Sequence, residues 1–180
     1  MEDNIKTGKF ISLVLRHAPE RIGITLDENG WADIGLLIAA LNKHGHRMDM
    51  VRLDEIVSTN NKQRYSYSAD KTRIRANQGH SITVDVELVP ATPPARLYHG
   101  TADRFAESIL RDGLLRQNRN HVHLSADTET AITVGKRHGR PIVFAINAAQ
   151  MHADGHVFYL SENKVWLTAH VPPHYLSLPV

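Results

Sequence analysis

Apolar residues near the N-terminus recur at the spacing of a helix. Within residues 9–24 two neighbouring stripes are formed by Phe10, Leu13 and Val14 and by Ile11, Leu15 and Ala18. Such a pattern is typical of an amphipathic helix with a broad buried face. Pro19 disfavours helical geometry at the residue before it, so the helix is predicted to end near His17. His17 falls on the first stripe, where an apolar residue would be expected, and Arg16 stands beside it.

Further helices and then a hairpin are predicted for the rest of the first half. A short strand at 23–27 leads to a turn at 28–30 and to a helix that Asp33 caps and Gly45 closes. A second amphipathic helix spans 49–60. Residues 64–68 alternate, so Arg64 and the serines share one face and the tyrosines the other, and the chain returns at 72–76. Helices followed by a β-wing predict a winged-helix domain over 1–90.

Prolines mark the end of this domain, because Pro90, Pro93 and Pro94 can continue neither a helix nor a central strand. A linker is predicted at 91–95 and a second domain at 96–180. In that domain short strands alternate with helices. The strands are predicted at 96–101, 121–125, 141–147, 156–160, 165–169 and 175–180, and the helices at 103–115, 127–139 and 147–155. The predicted fold class is α+β.

Composition narrows the class of protein only a little. The chain has 180 residues, of which 42% are hydrophobic and 22% charged, as in ordinary globular proteins. No apolar run approaches the ~20 residues that span a bilayer, and the polar N-terminal stretch is unlike a signal peptide. The absence of cysteine excludes disulfides and thiolate metal sites. A cytoplasmic protein is expected, and a net charge of +2 is too small to indicate nucleic-acid binding.

Histidine is the most informative residue type, with twelve in the chain. His121 and His123 lie on a predicted strand and so share a face, and His44 and His46 form a similar pair in a loop. Because neither pair has a clear third ligand, no metal is expected, and the histidines are predicted to line a pocket. Phosphate-binding loops, dinucleotide fingerprints and nucleophile elbows are absent from the sequence.

The segment 97–115, LYHGTADRFAESILRDGLL, resembles the nicotinamide-pocket segment of the ADP-ribosyltransferase superfamily. The resemblance is carried by His99, Gly100, Thr101, Ile109, Gly113 and Leu114, and His123, Leu124 and Ser125 are similar to that superfamily's second motif. It implies that these residues bind NAD. The third motif usually supplies a glutamate that activates the acceptor, whereas here Val165 stands at the matching position.

Seven motifs in one order resemble those of the RNA 2′-phosphotransferases, the transfer-RNA-splicing type of enzyme. They are LVLRHAPE, GWADI, RYSYS, IRANQGHS, YHGT, VHLS and VWLT, and the resemblance runs from Phe10 to about Tyr175. It implies that an internal RNA 2′-phosphate and the co-substrate NAD⁺ react through a 2′-phospho-ADP-ribosylated RNA. The products would be 2′-OH RNA, nicotinamide and ADP-ribose 1″,2″-cyclic phosphate. The catalytic residues implied are Arg16, His17, Arg64 and Arg119, with Arg116 as the alternative to Arg119.

This chemistry fits the residue types. A phosphate nucleophile is already an anion and requires no glutamate, while arginines can hold it through bidentate bonds and His17 can protonate the leaving 2′-oxygen. The active site is expected in the cleft between the two domains, with no membrane and no obligatory protein partner. Two other hypotheses are a winged-helix regulator that senses a nucleotide, and a protein or nucleic-acid ADP-ribosyltransferase. The weakly basic helix 51–61 and the missing glutamate count against them.

Overall fold

A computed structural model of the chain describes residues 2–60 and 62–178. They form two compact units that divide between Glu87 and Leu88, and each is described by itself. The start of the predicted linker 91–95 is bonded to the C-terminal unit, because the Ala91 N–H donates to the Phe158 carbonyl over 2.8 Å. None of the helices in the described residues combines the length and the apolar composition needed to cross a bilayer.

Three α-helices make up most of the N-terminal unit: α1 (Glu2–Arg16), α2 (Ile34–Lys43) and α3 (Met50–Ser58), with a 3₁₀ turn at Pro19–Ile22. The first helix ends one residue before His17, as Pro19 predicts. The predicted cap at Asp33 is confirmed, since its carboxylate accepts from the Leu36 N–H over 2.9 Å. Helix α3 is capped in the same way by Asp49.

A three-stranded antiparallel sheet completes this unit. It contains β1 (Ala32–Asp33), β2 (Tyr65–Tyr67) and β3 (Arg73–Ala76) in the order β1-β3-β2, so the predicted hairpin is confirmed. The strand predicted at 23–27 is wrong. The carboxylate of Asp27 instead accepts from the N–H groups of Asn29 and Trp31 and closes a turn. Both edges of β3 are occupied by β1 and β2, and residues 24–27 form no strand.

The core of the N-terminal unit forms where the three helices meet β3. Ile11, Val14 and Leu15 of α1 are fully buried, whereas Phe10 and Leu13 are only half-buried. The other fully buried aliphatic side chains here are Leu37, Leu41, Leu53 and Ile74. His17 is exposed, because the helix ends before the chain reaches it. It therefore does not occupy the apolar position that the helical spacing assigned to it.

The C-terminal unit is mixed α/β. Its strands are β4 (Arg96–Ala102), β5 (Leu114–Leu115), β6 (Val122–Leu124), β7 (Pro141–Asn147), β8 (Phe158–Leu160), β9 (Trp166–Thr168), β10 (His170–Val171) and β11 (Leu176–Ser177). Its helices are α4 (Ala106–Asp112), α5 (Thr128–Gly135) and α6 (Ala148–Ala153), with 3₁₀ turns at Asp103–Phe105 and Pro173–Tyr175. The last strand was predicted at 175–180; residues 179 and 180 lie outside the described part of the chain.

All the strand pairs in this unit are antiparallel, in sheets of order β11-β7-β4, β6-β9-β8 and β10-β5. A bridge between Tyr98 and Ser125 connects β4 to the end of β6. Leu97, Leu124, Ile146 and Phe158 are buried in the core. The bridge brings two sequence motifs that are about 25 residues apart onto adjacent strands.

Helix α5 packs directly on β4, and a glycine on the strand permits this. A Cβ atom at Gly100 would lie 1.6 Å from the Ala131 carbonyl oxygen, and one at Gly135 would lie 2.8 Å from the Thr101 oxygen. Neither side chain could be accommodated without moving backbone. The Cα face of Gly100 is therefore covered by a helix.

Replacing Gly100 with Ala should therefore destabilise the protein by at least about 1–3 kcal/mol, the usual cost of overpacking. Urea unfolding monitored by circular dichroism measures this. The matched control is Gly35→Ala on α2, where an exposed helical glycine is replaced and stability should be unchanged or slightly increased. Equal stability of the wild type and Gly100→Ala would contradict the packing of α5 on β4.

Candidate functional site

His17 is fixed at the end of α1 by a segment distant in sequence. Its ring Nδ1 lies 2.8 Å from the Ser81 hydroxyl, and the Ser81 N–H donates to the Arg16 carbonyl over 3.0 Å. The main chain and the side chain of Ser81 thus bond to two consecutive residues. Ser81 ends the motif IRANQGHS, from which no single residue was predicted to be functional. The imidazole is exposed but held in one orientation, as a proton donor must be.

Cationic groups surround a buried imidazole next to this helix end. His80 is only 2% exposed. Burial, reinforced by the positive charges of Arg16, His17 and Arg75, lowers the pKa of His80 to about 4. The ring is therefore neutral near pH 7. Arg75 is already paired with Glu87, whose carboxylate lies 3.0 Å from its guanidinium. The charge available to a bound anion next to His80 is therefore mainly that of Arg16. The sequence reading missed both His80 and Arg75.

Arg64 belongs to the same group of cations. Burial raises the pKa of Tyr65, and the positive charges of Arg16 and Arg64 both oppose that rise, so both guanidinium groups lie near one phenol. The Tyr65 hydroxyl donates to the Gly8 carbonyl and lies 2.6 Å from the Ser12 hydroxyl, which fastens β2 to α1. The charge of Arg16 thus acts on Tyr65 together with that of Arg64 and on His80 together with that of His17, and a joint catalytic role of Arg16, His17 and Arg64 stays a prediction.

In the C-terminal unit His99 and His123 are tied together. The Nδ1 atom of His99 lies 3.0 Å from the His123 carbonyl oxygen. A carbonyl only accepts, so Nδ1 carries the hydrogen. Burial lowers the pKa of His99, which keeps the ring neutral. Its Nε2 atom is then a hydrogen-bond acceptor. Arg119 lies beside this pair, with Nη1 3.4 Å from Nδ1 of His123.

The edge of β4 at Gly100 has a defined polar pattern. The N–H and C=O of Tyr98 bond to Ser125 over 2.8 and 2.7 Å. Because main-chain groups alternate along a strand, those of Gly100 face the same edge, opposite to the edge that pairs with β7. One donor and one acceptor therefore stand side by side on the edge next to Ser125. This is the pattern that a carboxamide can match with its own N–H and C=O.

The other residues predicted to bind NAD contribute to the packing of the C-terminal unit or to its turns. Leu114 and Leu124 are core residues, Thr101 is buried, and Ile109 packs against the same core. Gly113 has φ +80° and closes α4, and a Cβ there would lie 2.2 Å from the Val171 oxygen. The structure brings together His99, Gly100, His123, Ser125 and Arg119. NAD contacts by the scaffold residues stay a prediction.

Val165 lies where an acceptor-activating glutamate was considered. Val165 immediately precedes β9, whose first residue, Trp166, pairs with Leu124 of the second motif. An aliphatic side chain therefore stands beside the second motif, and Glu162 is exposed in the turn that precedes β9. The position offers no carboxylate to act as a base.

Arg116 and Arg119 point to different neighbours. Arg119 lies beside His123, whereas the positive charge of Arg116 adds to burial in lowering the pKa of His121. Only Arg119 is therefore placed with the His99–His123 pair, which supports it as the catalytic candidate.

Members of the two histidine pairs make hydrogen bonds and ring contacts with nearby protein groups. The His44 Nδ1 atom bonds to the Ala40 carbonyl, and His46 stacks on Phe10 with ring centroids 4.5 Å apart. His121 lies edge-to-face against Tyr159. Within residues 2–60 and 62–178, no group of three or more His, Cys, Asp or Glu side chains is arranged to hold a metal ion.

Comparison with known proteins adds to this geometry. A model of the family described as RNA 2′-phosphotransferase, Tpt1 / KptA family, matches residues 2–170. The chain belongs to this family. The match includes every predicted site residue and confirms the resemblance seen in the seven motifs.

Relatives in the RNA 2′-phosphotransferase family are similar along almost their whole length. A protein of Hahella chejuensis named probable RNA 2′-phosphotransferase is 56% identical over 99% of this chain and 96% of its own. Proteins with the same name from Flavobacterium johnsoniae and Streptomyces coelicolor are 52% and 53% identical, and cover 98% and 99% of this chain and 98% and 97% of their own.

Proposed function

We propose that this protein transfers an internal 2′-phosphate of RNA to NAD⁺. The products are 2′-OH RNA, nicotinamide and ADP-ribose 1″,2″-cyclic phosphate, formed through a 2′-phospho-ADP-ribosylated RNA. The chain belongs to the RNA 2′-phosphotransferase family, and its predicted site residues fall into two chemically distinct groups. This division is the observation that carries the proposal. Cations gather around the end of α1, and neutral hydrogen-bonding groups gather where β4 meets β6.

NAD⁺ fits the groups where β4 meets β6. The N–H and C=O of Gly100 match a carboxamide such as that of nicotinamide, and Nε2 of neutral His99 can accept from a ribose hydroxyl. NAD⁺ supplies an electrophilic ribose carbon, C1″, from which nicotinamide leaves with the electron pair of the C–N bond. The task of His99, Gly100 and Ser125 is to hold that carbon in line with the incoming phosphate.

The cationic groups bind the 2′-phosphate. An oxygen of the phosphate forms the bond to C1″, and because it is already ionised it needs no base. This agrees with Val165 at the position of the usual glutamate. Arg16 and Arg64 bind a dianion through charge-assisted bonds worth roughly 1.5–3 kcal/mol each. Arg119 is the third candidate, beside His123.

His17 serves the second half of the reaction. The ribose hydroxyl O2″–H loses its proton to solvent as its oxygen bonds to phosphorus, the bond from phosphorus to the RNA 2′-oxygen breaks with its electron pair left on that oxygen, and the 2′-oxygen takes up a proton. His17 is exposed and oriented by Ser81, and a histidine can donate near neutral pH. Arg16, adjacent to His17, stabilises the negative charge on the phosphoryl oxygens.

The finer description of the fold is part of the same proposal. The N-terminal unit has three helices and an antiparallel hairpin with a third strand, which supports a winged-helix domain. The C-terminal unit places its first and second motifs on adjacent strands, which supports an ADP-ribosyltransferase-like domain. A tRNA-like substrate and a cytoplasmic location stay predictions.

The proposal is tested by incubating the protein with NAD⁺ and an oligoribonucleotide that carries one internal 2′-phosphate. Mass spectrometry should detect the dephosphorylated oligonucleotide, nicotinamide and the cyclic phosphate in equal amounts. The same oligonucleotide without the 2′-phosphate should leave NAD⁺ intact. Duplex binding without turnover would instead indicate a regulator, and ADP-ribose retained on protein or on unphosphorylated RNA would indicate an ADP-ribosyltransferase.

Activity should persist in excess EDTA, because arginines rather than a metal are proposed to neutralise the phosphate. The rate of NAD⁺ consumption with the 2′-phosphorylated oligonucleotide, measured before and after chelation, checks this. Loss of activity that one divalent ion restores would show that the site needs a metal.

Ser81→Ala should lower the rate of the second step by roughly 2- to 12-fold, the effect of losing one hydrogen bond of about 0.5–1.5 kcal/mol. Ser81→Thr, which keeps the hydroxyl, should restore most of that rate. If Ser81 positions His17, the pH dependence of the second step should also shift in Ser81→Ala. An unchanged pH profile together with an unchanged rate would show that the bond to His17 is incidental.

A further inference from the structure

The C-terminal unit contains a cavity of about 850 Å³ that the proposed chemistry does not use. We propose that this cavity binds the nucleotide next to the 2′-phosphorylated one in the RNA substrate. The inference rests on the proposed function and extends it from one phosphate to a neighbouring base. We name the cavity the histidine pocket, after the side chains that define it: Arg116, Asn120, His121, His156, Tyr159 and His170.

The histidine pocket adjoins a residue proposed to bind the 2′-phosphate. Arg119, which contacts His123, is followed directly by Asn120 and His121 of the pocket, and Arg116 and Gln117 of the pocket precede it by three and two residues. One short segment thus carries both the phosphate ligand and part of the pocket wall. A nucleotide linked to the one that Arg119 holds would lie next to this wall.

The sheet gives the same placement. His121 immediately precedes β6, and its ring meets that of Tyr159 edge-to-face. Across the sheet, His123 and Tyr159 are both paired with Leu167, so Tyr159 and His123 share one face. His121 and Tyr159 therefore place one wall of the histidine pocket beside His123, while Thr168 of the lining belongs to the other face of the same sheet. The proposed carboxamide site, by contrast, is on the edge of β4, which contributes no residue to the pocket.

The charge of the lining suits a nucleic-acid backbone. Arg116 is cationic, and the lining includes no Asp or Glu. Asp154, next in sequence to Gly155 of the lining, accepts hydrogen bonds from the Tyr175 hydroxyl and from Gln150 over 2.6 and 2.9 Å. A phosphodiester would therefore be attracted to the Arg116 side of the pocket.

The aromatic rings suit a base. His121 meets Tyr159 edge-to-face with centroids 5.5 Å apart, and His156 meets His170 in the same way at 5.6 Å. In such pairs at least one ring face is not covered by the partner ring. Bases of single-stranded RNA stack on such faces. The volume also lies in the range typical of ligand pockets.

The test uses three 2′-phosphorylated trinucleotides: one complete, one with an abasic 5′ neighbour and one with an abasic 3′ neighbour. For the wild type, removing one of the two neighbouring bases should weaken binding roughly 5- to 150-fold, as expected for loss of one stacked base. In Tyr159→Leu, which keeps apolar bulk, that sensitivity should disappear. Arg116→Gln should weaken binding of all three trinucleotides, whereas the matched control Arg137→Gln, at an exposed position, should not.

Affinity is measured by fluorescence anisotropy, so the result does not depend on turnover. If the wild type binds the abasic trinucleotides as well as the complete one, or if Tyr159→Leu keeps the sensitivity, the inference is wrong. A higher KM for NAD⁺ in Tyr159→Leu would overturn it too, by assigning the pocket to the adenylate half of NAD⁺. Absence of phosphate transfer by the wild type would refute the proposed function, and the binding comparison would still decide whether the pocket reads a neighbouring base.

Discussion

His17→Ala should slow release of the RNA 2′-oxygen by roughly 10²- to 10⁴-fold, the usual contribution of a general acid. Attack of the phosphate on NAD⁺ should be affected much less, because that step requires no proton. The 2′-phospho-ADP-ribosylated RNA should therefore accumulate. Rapid-quench reactions with labelled RNA, separated on denaturing gels, measure the two steps individually.

Ser81→Ala provides the matched control for this experiment. It leaves the imidazole in place and removes only the hydroxyl 2.8 Å from Nδ1. Its effect on the second step should be far smaller than that of His17→Ala, and only a trace of the intermediate should accumulate. If His17→Ala slows both steps equally and no intermediate appears, His17 is not the proton donor.

Local signals in the sequence predicted the elements of the fold well. Pro19 ended α1, the Asp33 carboxylate capped α2, and the alternation of 64–68 predicted the hairpin, because each of these effects acts within a few residues. The strand predicted at 23–27 failed for a different reason. Its pattern was suitable, but a strand also requires a partner, and residues 24–27 form no strand. Partners distant in sequence cannot be read from a local pattern.

The same distinction applies to the site. Arg16, His17 and Arg64 were singled out by motif, and the charge of Arg16 acts on Tyr65 together with that of Arg64 and on His80 together with that of His17. Ser81 and His80 contribute through contacts across more than 60 residues, and only the quoted motif IRANQGHS hinted at them. Gly100 was predicted to bind NAD, and the structure adds that a helix covers its Cα face. A glycine in a sequence indicates that another group packs closely against the backbone, but it does not show whether that group is a ligand or another part of the protein.

Arg16→Lys and Arg64→Lys should each lower the single-turnover rate at saturating RNA by about 10- to 150-fold. Lysine keeps the positive charge but lacks the planar fork that makes two parallel bonds to a phosphate, each worth roughly 1.5–3 kcal/mol. Binding should respond differently. The affinity for RNA should keep most of its salt dependence, whose slope is about −0.7 per phosphate neutralised on a single strand, because the number of charges is unchanged.

Lys62→Ala is the control that distinguishes bidentate binding of the 2′-phosphate by arginine from general electrostatic attraction between the protein and RNA. Lys62 is exposed and close in sequence to Arg64. Its removal should weaken RNA binding modestly and reduce the salt dependence, while the chemical step proceeds at the wild-type rate. Binding at several salt concentrations and single-turnover rates must be measured on the same three variants. If Arg16→Lys and Arg64→Lys both react at near wild-type rates, bidentate clamping of the phosphate is refuted. Arg16 would then be a cation that stabilises the C-terminus of α1 through its partial negative charge.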